Sequence, residues 1–186
     1  MVRHTIFTNS IVADTYPNEK LKNLILHDLE LHKKIGGRDI SNHGGFQTQD
    51  LTNENILGEI HKKSEQLILA NYKLFAKKIK ILNVWINVNK KRDFNKIHLH
   101  PGSHFSGIYY LNGSKKGGEL EILRDDATLF SDQSQFLPDD TDFITTFKIQ
   151  PKDNLFILFP SQLKHMVLPH YDEGERISVS FNIGFF

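Results

Sequence analysis

Val84-Trp85-Ile86-Asn87-Val88-Asn89 decides how this chain folds. Val84, Ile86 and Val88 alternate with Trp85, Asn87 and Asn89, and a period of two marks a strand with one apolar and one polar face. The period returns near the far end, in Arg176-Ile177-Ser178-Val179-Ser180-Phe181-Asn182. There Ile177, Val179 and Phe181 face one way, and Arg176, Ser178, Ser180 and Asn182 the other. Around these two stretches the sequence predicts only strands and turns: about Lys96–His100, Phe105–Leu111, Glu119–Leu123, Phe143–Ile149, Leu155–Phe159, Met166–Leu168 and Arg176–Ile183. Asn112–Gly118 holds two adjacent glycines and reads as a hairpin turn. Pro151-Lys152-Asp153-Asn154 and Asp172-Glu173-Gly174 are turns as well. Arg124–Asp142 is long, acidic and strandless, a length that marks a mobile or functional loop.

Upstream of Lys80 the pattern differs. Ile6–Val12 reads as a short first strand. Pro17 then opens a helical pattern with Leu21, Leu24, Ile25, Leu29 and Ile35 on one face, stopped by Gly36-Gly37. Ser41–Gln49, containing Gly44-Gly45-Phe46, reads as a loop entering a strand. Thr52 caps a second helix expected to run to about Lys78, with a face of Leu57, Ile60, Leu67, Ile68, Phe75 and Ile79. The expectation is one domain over residues 1–186, with helical support over about 17–80 and a barrel core over about 81–186. Helices first and many short strands after give a mainly β architecture, an antiparallel sandwich or barrel buttressed by two N-terminal helices.

Composition narrows the function. The 186 residues hold 23 Lys+Arg against 22 Asp+Glu, a net charge of +1. General nucleic-acid or membrane-surface binding would need a basic excess that this balance lacks. The absence of Cys removes disulfide frameworks, Cys-based zinc sites, iron–sulfur clusters and Cys nucleophiles together. No apolar run approaches the roughly 18 residues of a membrane span, and the start of the sequence shows no signal-peptide pattern, so a cytoplasmic protein is expected. Gly-x-Ser-x-Gly, His-Glu-x-x-His and phosphate-binding glycine loops are all missing, which weakens hydrolytic readings. Glu119 and Glu121 share a strand face and read as solvated barrel residues.

Histidine is the informative residue, with ten copies. His98 and His100 lie two apart in a strand-like run, so both rings point to one face, and two imidazoles on one face can chelate a metal. His165 follows Leu155-Phe156-Ile157-Leu158-Phe159-Pro160, and an antiparallel fold can return it to the same place. A lone histidine is more often a surface or core residue than a ligand. On that ground His4, His27, His32, His43, His61 and His170 are read as structural. Arg176 adds a cation to a polar strand face, beside which a metal cluster implies a ligand-filled interior; a solvent-facing sheet edge is the plainer reading of such a face. Tyr110 offers a hydroxyl that can share a carboxylate with Arg176, or packs as a core aromatic.

The ordered set His98-x-His100, Tyr109-Tyr110-Leu111-Asn112, Gly117-Gly118-Glu119-Leu120, Phe159-Pro160, His165 and Arg176-x-Ser178 resembles the Fe(II)/2-oxoglutarate-dependent oxygenases. Within them it is most similar to a bacterial and phage subgroup with a His-x-His-Pro and a Ser-Gly-x-Tyr-Tyr pattern. The Tyr-Tyr-Leu-Asn and Gly-Gly-Glu-Leu segments also resemble prolyl hydroxylases. The resemblance spans about Asn83–Asn182, and weakly Ser41–Gln47. It implies a double-stranded β-helix, a jelly-roll, cupin-like barrel with iron at its open end. It implies Fe(II) on His98, His100 and His165, and 2-oxoglutarate as cosubstrate with its far carboxylate on Arg176, Tyr110 and Ser178. The implied reaction is that of a hydroxylase: O₂ is consumed, 2-oxoglutarate is decarboxylated to succinate, and a substrate C–H bond is oxidised. The implied substrate is a protein or peptide residue such as proline, or a small metabolite. The loops Arg124–Asp142 and Ser41–Gln49 are expected as its walls.

The sequence departs from the commonest family pattern, His-x-Asp, by carrying His98-Leu99-His100. A carboxylate offsets one unit of metal charge and an imidazole does not. Three alternatives for the third ligand stay open: His100, His104, or water beside Gly102. Two further readings compete. A cupin-type metal enzyme uses a similar barrel without 2-oxoglutarate, but leaves Arg176 and Tyr110 without a task. A non-enzymatic jelly-roll binding module has no use for the three histidines. The apolar end Gly184-Phe185-Phe186 is expected to dock in the core.

Overall fold

The computed structural model describes residues 9–72, 78–124 and 145–186. The chain runs β1 (Val12–Thr15), α1 (Glu19–Ile35), β2 (Asn42–His43), β3 (Phe46–Gln47), α2 (Glu54–Asn71), β4 (Ile79–Asn89) and β5 (Phe94–His98). It continues with β6 (Phe105–Asn112), β7 (Leu120–Leu123), β8 (Thr146–Ile149), β9 (Leu155–Pro160), β10 (His165–Val167) and β11 (Arg176–Phe185). The strands form two antiparallel sheets. One has the order β1-β9-β6-β11-β4-β3, the other β2-β5-β10-β7-β8.

The alternation that opened the sequence sets both faces of the six-stranded sheet. Val84, Ile86 and Val88 of β4 and Val179, Phe181 and Ile183 of β11 join Leu21, Ile25 and Leu29 of α1 and Ile56, Ile60 and Ile68 of α2 in one buried cluster. Each large apolar side chain buried there contributes about 1.5–3 kcal/mol. The opposite face turns inward. Ile108, Tyr110, Ile157 and Phe159 meet Leu120 and Ile122 of the second sheet, which closes an inner core between the sheets. β6 is therefore covered on both faces and buried from Phe105 to Leu111. Its Gly107 leaves no room for a side chain, because a Cβ there would lie 2.1 Å from Phe181 Cζ and 2.8 Å from the Ile157 carbonyl.

The helices are shorter than the sequence predicts. The Asn18 side chain accepts from the Leu21 N–H to start α1, and Gly36, at φ 104°, donates to the His32 carbonyl to end it. Ile35 is 73% exposed and belongs to no buried face, a correction to the expected stripe. Asn53 rather than Thr52 caps α2, with its Oδ1 on the Asn55 N–H, while its Nδ2 reaches Asp28 of α1 at 3.0 Å. That helix ends at Asn71, and Ile79 opens β4 instead of closing a helix face. β-branched Ile79 and Ile81 suit the pleated edge, where they pair with β11. Phe75 lies outside the described residues.

Other limits move by a few residues. The first strand is Val12–Thr15 rather than Ile6–Val12, whose residues 6–8 lie outside the described part. Ser41–Gln49 contains two short strands joined through Gly44-Gly45, both at positive φ. The expected loop Arg124–Asp142 lies, except for Arg124, outside the described residues. At the other end Phe185 packs against the main core, but Phe186 is 62% exposed under the Lys80 ammonium. Among the described residues no helix is long and apolar enough to cross a membrane.

Candidate active site

β5 and β10 lie side by side, and their register sets His98 opposite His165. His98 is the last residue of β5, so the expected strand over Lys96–His100 stops two residues early. His100 thus owes its place to the turn that follows rather than to strand periodicity. Its main-chain N–H donates to the Ser161 carbonyl at 3.1 Å. The three rings nevertheless converge. Their ligand-capable nitrogens lie within 4.8 Å of one another, and the Nε2 atoms of His100 and His165 are 3.2 Å apart. His104 lies apart from this cluster. Its ring stacks on Phe185, and its Nδ1 accepts the Phe185 N–H at 3.2 Å. Gly102, at φ 83°, has open space where a Cβ would be and offers no side-chain donor.

Two of the rings are fixed in tautomer by the backbone. His98 Nδ1 donates to the Lys96 carbonyl at 2.6 Å, and His165 Nδ1 to the Leu163 carbonyl at 2.9 Å. A carbonyl only accepts, so each Nε2 keeps a free electron pair directed at the cluster. Burial holds all three rings neutral. It lowers the His98 pKa, pushes His100 down to about 4 with His98 adding repulsion, and pushes His165 down to about 3 with the same neighbour contributing.

The cavity that these rings enter encloses about 430 Å³ of space, its open mouth included. Trp85, Asn87, Ile108, Phe159, Arg176 and Ser178 line it too, with Arg176 six residues along β11 from Asn182, which faces His100. Arg176 is 1% exposed. Its Nη2 donates to Asn89 Oδ1 at 2.8 Å and its Nη1 to Ser178 Oγ at 3.3 Å. Its guanidinium carbon sits 5.6 Å from the centre of the Tyr110 ring. Among the described residues no carboxylate pairs with it. Arg176 Nε and the Tyr110 hydroxyl are buried without a hydrogen-bond partner. Burial lowers the Arg176 pKa and raises that of Tyr110, each partly opposed by the other group. A buried cation with unmet donors beside an unmet hydroxyl favours an anion.

Asn89 was not singled out by the sequence, nor were Asn87, Trp85 and Ser106. A signal was there: Trp85, Asn87 and Asn89 form the polar face of β4, in register with Ser180, Ser178 and Arg176 of β11. Two polar faces on paired strands make one polar wall. His170 is buried, with Nδ1 3.0 Å from Ser114 Oγ and Nε2 2.8 Å from the Gly174 carbonyl.

Residues 83–182, more than half of the chain, match the family described as "Putative 2OG-Fe(II) oxygenase". The chain belongs to the 2OG-Fe(II) oxygenases. No curated protein sequence matches it. Its fold is that of several solved oxygenases. A prolyl-4-hydroxylase of Pseudomonas putida is 17% identical, with 94% of this chain and 93% of that chain covered at a TM-score of 0.62. The viral collagen prolyl hydroxylase of Paramecium Bursaria Chlorella virus-1, solved with 2-oxoglutarate, is 18% identical, with 94% of each chain covered at 0.61. HygX of Streptomyces hygroscopicus, solved with nickel and 2-oxoglutarate, is 12% identical, with 95% of this chain and 83% of that chain covered at 0.65. The architecture is therefore the double-stranded β-helix, and the protein is an oxidoreductase that uses iron and 2-oxoglutarate. The cupin and binding-module readings fall with that assignment. The residues present fit both groups: three neutral imidazoles for a metal, and a buried guanidinium with unmet donors for a dicarboxylate.

Proposed function

We propose that this oxygenase is a hydroxylase whose iron is held by His98, His100 and His165, and whose 2-oxoglutarate is held at its far carboxylate by Arg176. One observation carries the reading: a single cavity is lined both by the three imidazoles and by a buried guanidinium that no carboxylate among the described residues pairs with. Iron and 2-oxoglutarate, once bound, supply with O₂ the oxidant for a C–H bond, and the cosubstrate leaves as succinate and CO₂.

The chain's own residues do the positioning. Asn89 holds one arm of Arg176, which aims the rest of the fork along the cavity. Ser178 Oγ and the Tyr110 hydroxyl add hydrogen bonds to the same carboxylate and relieve the unmet Tyr110 oxygen. Trp85, Ile108 and Phe159 give the cavity apolar walls that exclude water around the reacting centre. The substrate is a protein or peptide side chain such as proline, in keeping with the prolyl hydroxylases among the similar folds. A small metabolite is the second reading, because HygX was also solved with hygromycin B. Ser41 lines the cavity, so the segment Ser41–Gln49, whose two short strands join different sheets, forms one wall of the substrate entrance. Residues 1–186 act as one domain, and a cytoplasmic location goes with this reading.

Turnover of 2-oxoglutarate to succinate without primary substrate tests the assignment. The wild type should produce succinate, His165→Ala should produce none, and Arg176→Ala should require far more 2-oxoglutarate. Undiminished succinate from His165→Ala would contradict the ligand set.

A further inference from the structure

His100 differs from its two neighbours in one respect. Their Nδ1 atoms face backbone carbonyls, whereas His100 Nδ1 faces the side-chain amide of Asn182 at 3.4 Å. A carbonyl fixes a tautomer. An amide accepts through oxygen or donates through nitrogen, so it permits either one. Asn182 is 6% exposed and lies on β11 in register with Ser106 of β6. Ser106 Oγ donates to Asn182 Oδ1 at 2.7 Å and lies 2.8 Å from Ser161 Oγ. Both serines are buried, at 2% and 0% exposure.

The chain of contacts has two consistent proton arrangements. With the Asn182 amine toward the ring, His100 Nδ1 accepts and its proton sits on Nε2. That proton then fills the 3.2 Å gap to His165 Nε2, where two bare nitrogens would repel. With the amide turned over, Asn182 Oδ1 accepts the His100 Nδ1 proton and Nε2 is bare. Ser106 then accepts from the Asn182 amine and donates to Ser161, so no buried group loses its partner. Which arrangement an amide adopts follows from the network around it. A metal shared by His100 and His165 needs the second arrangement.

We infer that Asn182, backed by Ser106 and Ser161, is the positioning residue that sets the tautomer of His100 and turns over when a metal binds. The inference rests on the proposed His98–His100–His165 ligand set and concerns how its third member is prepared. It makes the all-histidine site switchable at one ligand only, since the other two are held by the backbone. Partners behind metal-bound histidines typically change metal affinity by about 10–100-fold.

The test reads tautomers and affinity rather than turnover. In ¹⁵N-labelled protein, long-range ¹H–¹⁵N spectra should show the His100 proton on Nε2 without metal and on Nδ1 with Zn(II), while His98 and His165 carry theirs on Nδ1 throughout. This wild-type measurement needs no variant to fold. In Asn182→Asp, whose carboxylate only accepts, the proton should sit on Nδ1 before Zn(II) is added. Asn182→Ala should bind Zn(II) about 10–100-fold more weakly than wild type by competition titration. If His100→Ala binds Zn(II) as tightly as wild type, the ligand set fails and the inference falls with it. If His100→Ala loses affinity but the His100 proton keeps one position with and without Zn(II), the ligand set stands and the role of Asn182 is overturned. Wild-type affinity in Asn182→Ala would overturn it equally.

Discussion

Replacing Arg176 by Met should make the protein more stable and nearly blind to 2-oxoglutarate, two effects of opposite sign from one substitution. Arg176 is 1% exposed and, among the described residues, has no carboxylate partner. Its remaining bonds, to Asn89 at 2.8 Å and to Ser178 at 3.3 Å, offset only part of the desolvation penalty. That penalty is several kcal/mol for a buried ion, while leaving Asn89 Oδ1 unsatisfied costs about 1–3 kcal/mol, so the net gain on removing the charge is about 1–3 kcal/mol. In a domain of this size the gain is a rise of about 2–12 °C in Tm. Binding responds the other way. Removing one partner of a buried charged pair costs about 2–5 kcal/mol, or about 30- to 4000-fold in Kd. Thermal melts with Mn(II), with and without 2-oxoglutarate, read both effects. At 100 times its Kd, 2-oxoglutarate should stabilise the wild type by about 2.7 kcal/mol and Arg176→Met by no more than about 0.9 kcal/mol at the same concentration. A variant that keeps the wild-type 2-oxoglutarate shift would refute the role given to Arg176. One that melts well below the wild type would refute the claim that its charge is stored without a partner.

Three more expectations follow from the same geometry. Burial pushes His100 to about 4 and His165 to about 3, below the unfolded value near 6.5, so the unfolded chain takes up protons first as pH falls. Stability from these groups is complete above about pH 6.5 and declines toward pH 3, as urea unfolding at stepped pH should show; a contribution that does not fall between pH 6.5 and 4 would contradict their burial. Tyr110→Phe removes a hydroxyl that has no partner, so urea unfolding should show little loss of stability, while the missing bond weakens 2-oxoglutarate binding by about 2–13-fold in a calorimetric titration. Gly107→Ala forces a Cβ to 2.1 Å from Phe181 Cζ and should lower stability by about 1–3 kcal/mol or more in the same unfolding assay; wild-type stability would mean that the sheet relaxes there.

The architecture was legible wherever a strand has two unlike faces. β4 and β11 each alternate, and their pairing follows because both polar faces need one interior. The helix ends were less legible. Ile79 continues the apolar spacing of α2 on paper, but tertiary pairing with Phe185 draws it into β4. Their spacing predicts His98 and His100 as neighbours on one strand face, yet β5 ends at His98. The convergence comes from a turn anchored on Ser161, sixty-one residues further along, and long-range contacts of that kind leave no local pattern. Asn89 and Asn182 show the same limit. Each is one polar residue in an alternating run, and only pairing shows that one holds Arg176 and the other faces His100.

The most direct test of the central claim is an anaerobic titration of the protein with Fe(II) and then 2-oxoglutarate, followed by visible absorbance. The account predicts a charge-transfer band that appears only when both are present, is absent in His165→Ala, and needs far more 2-oxoglutarate in Arg176→Ala. Iron binding with no response to 2-oxoglutarate, or a band that survives unchanged in both variants, would contradict it.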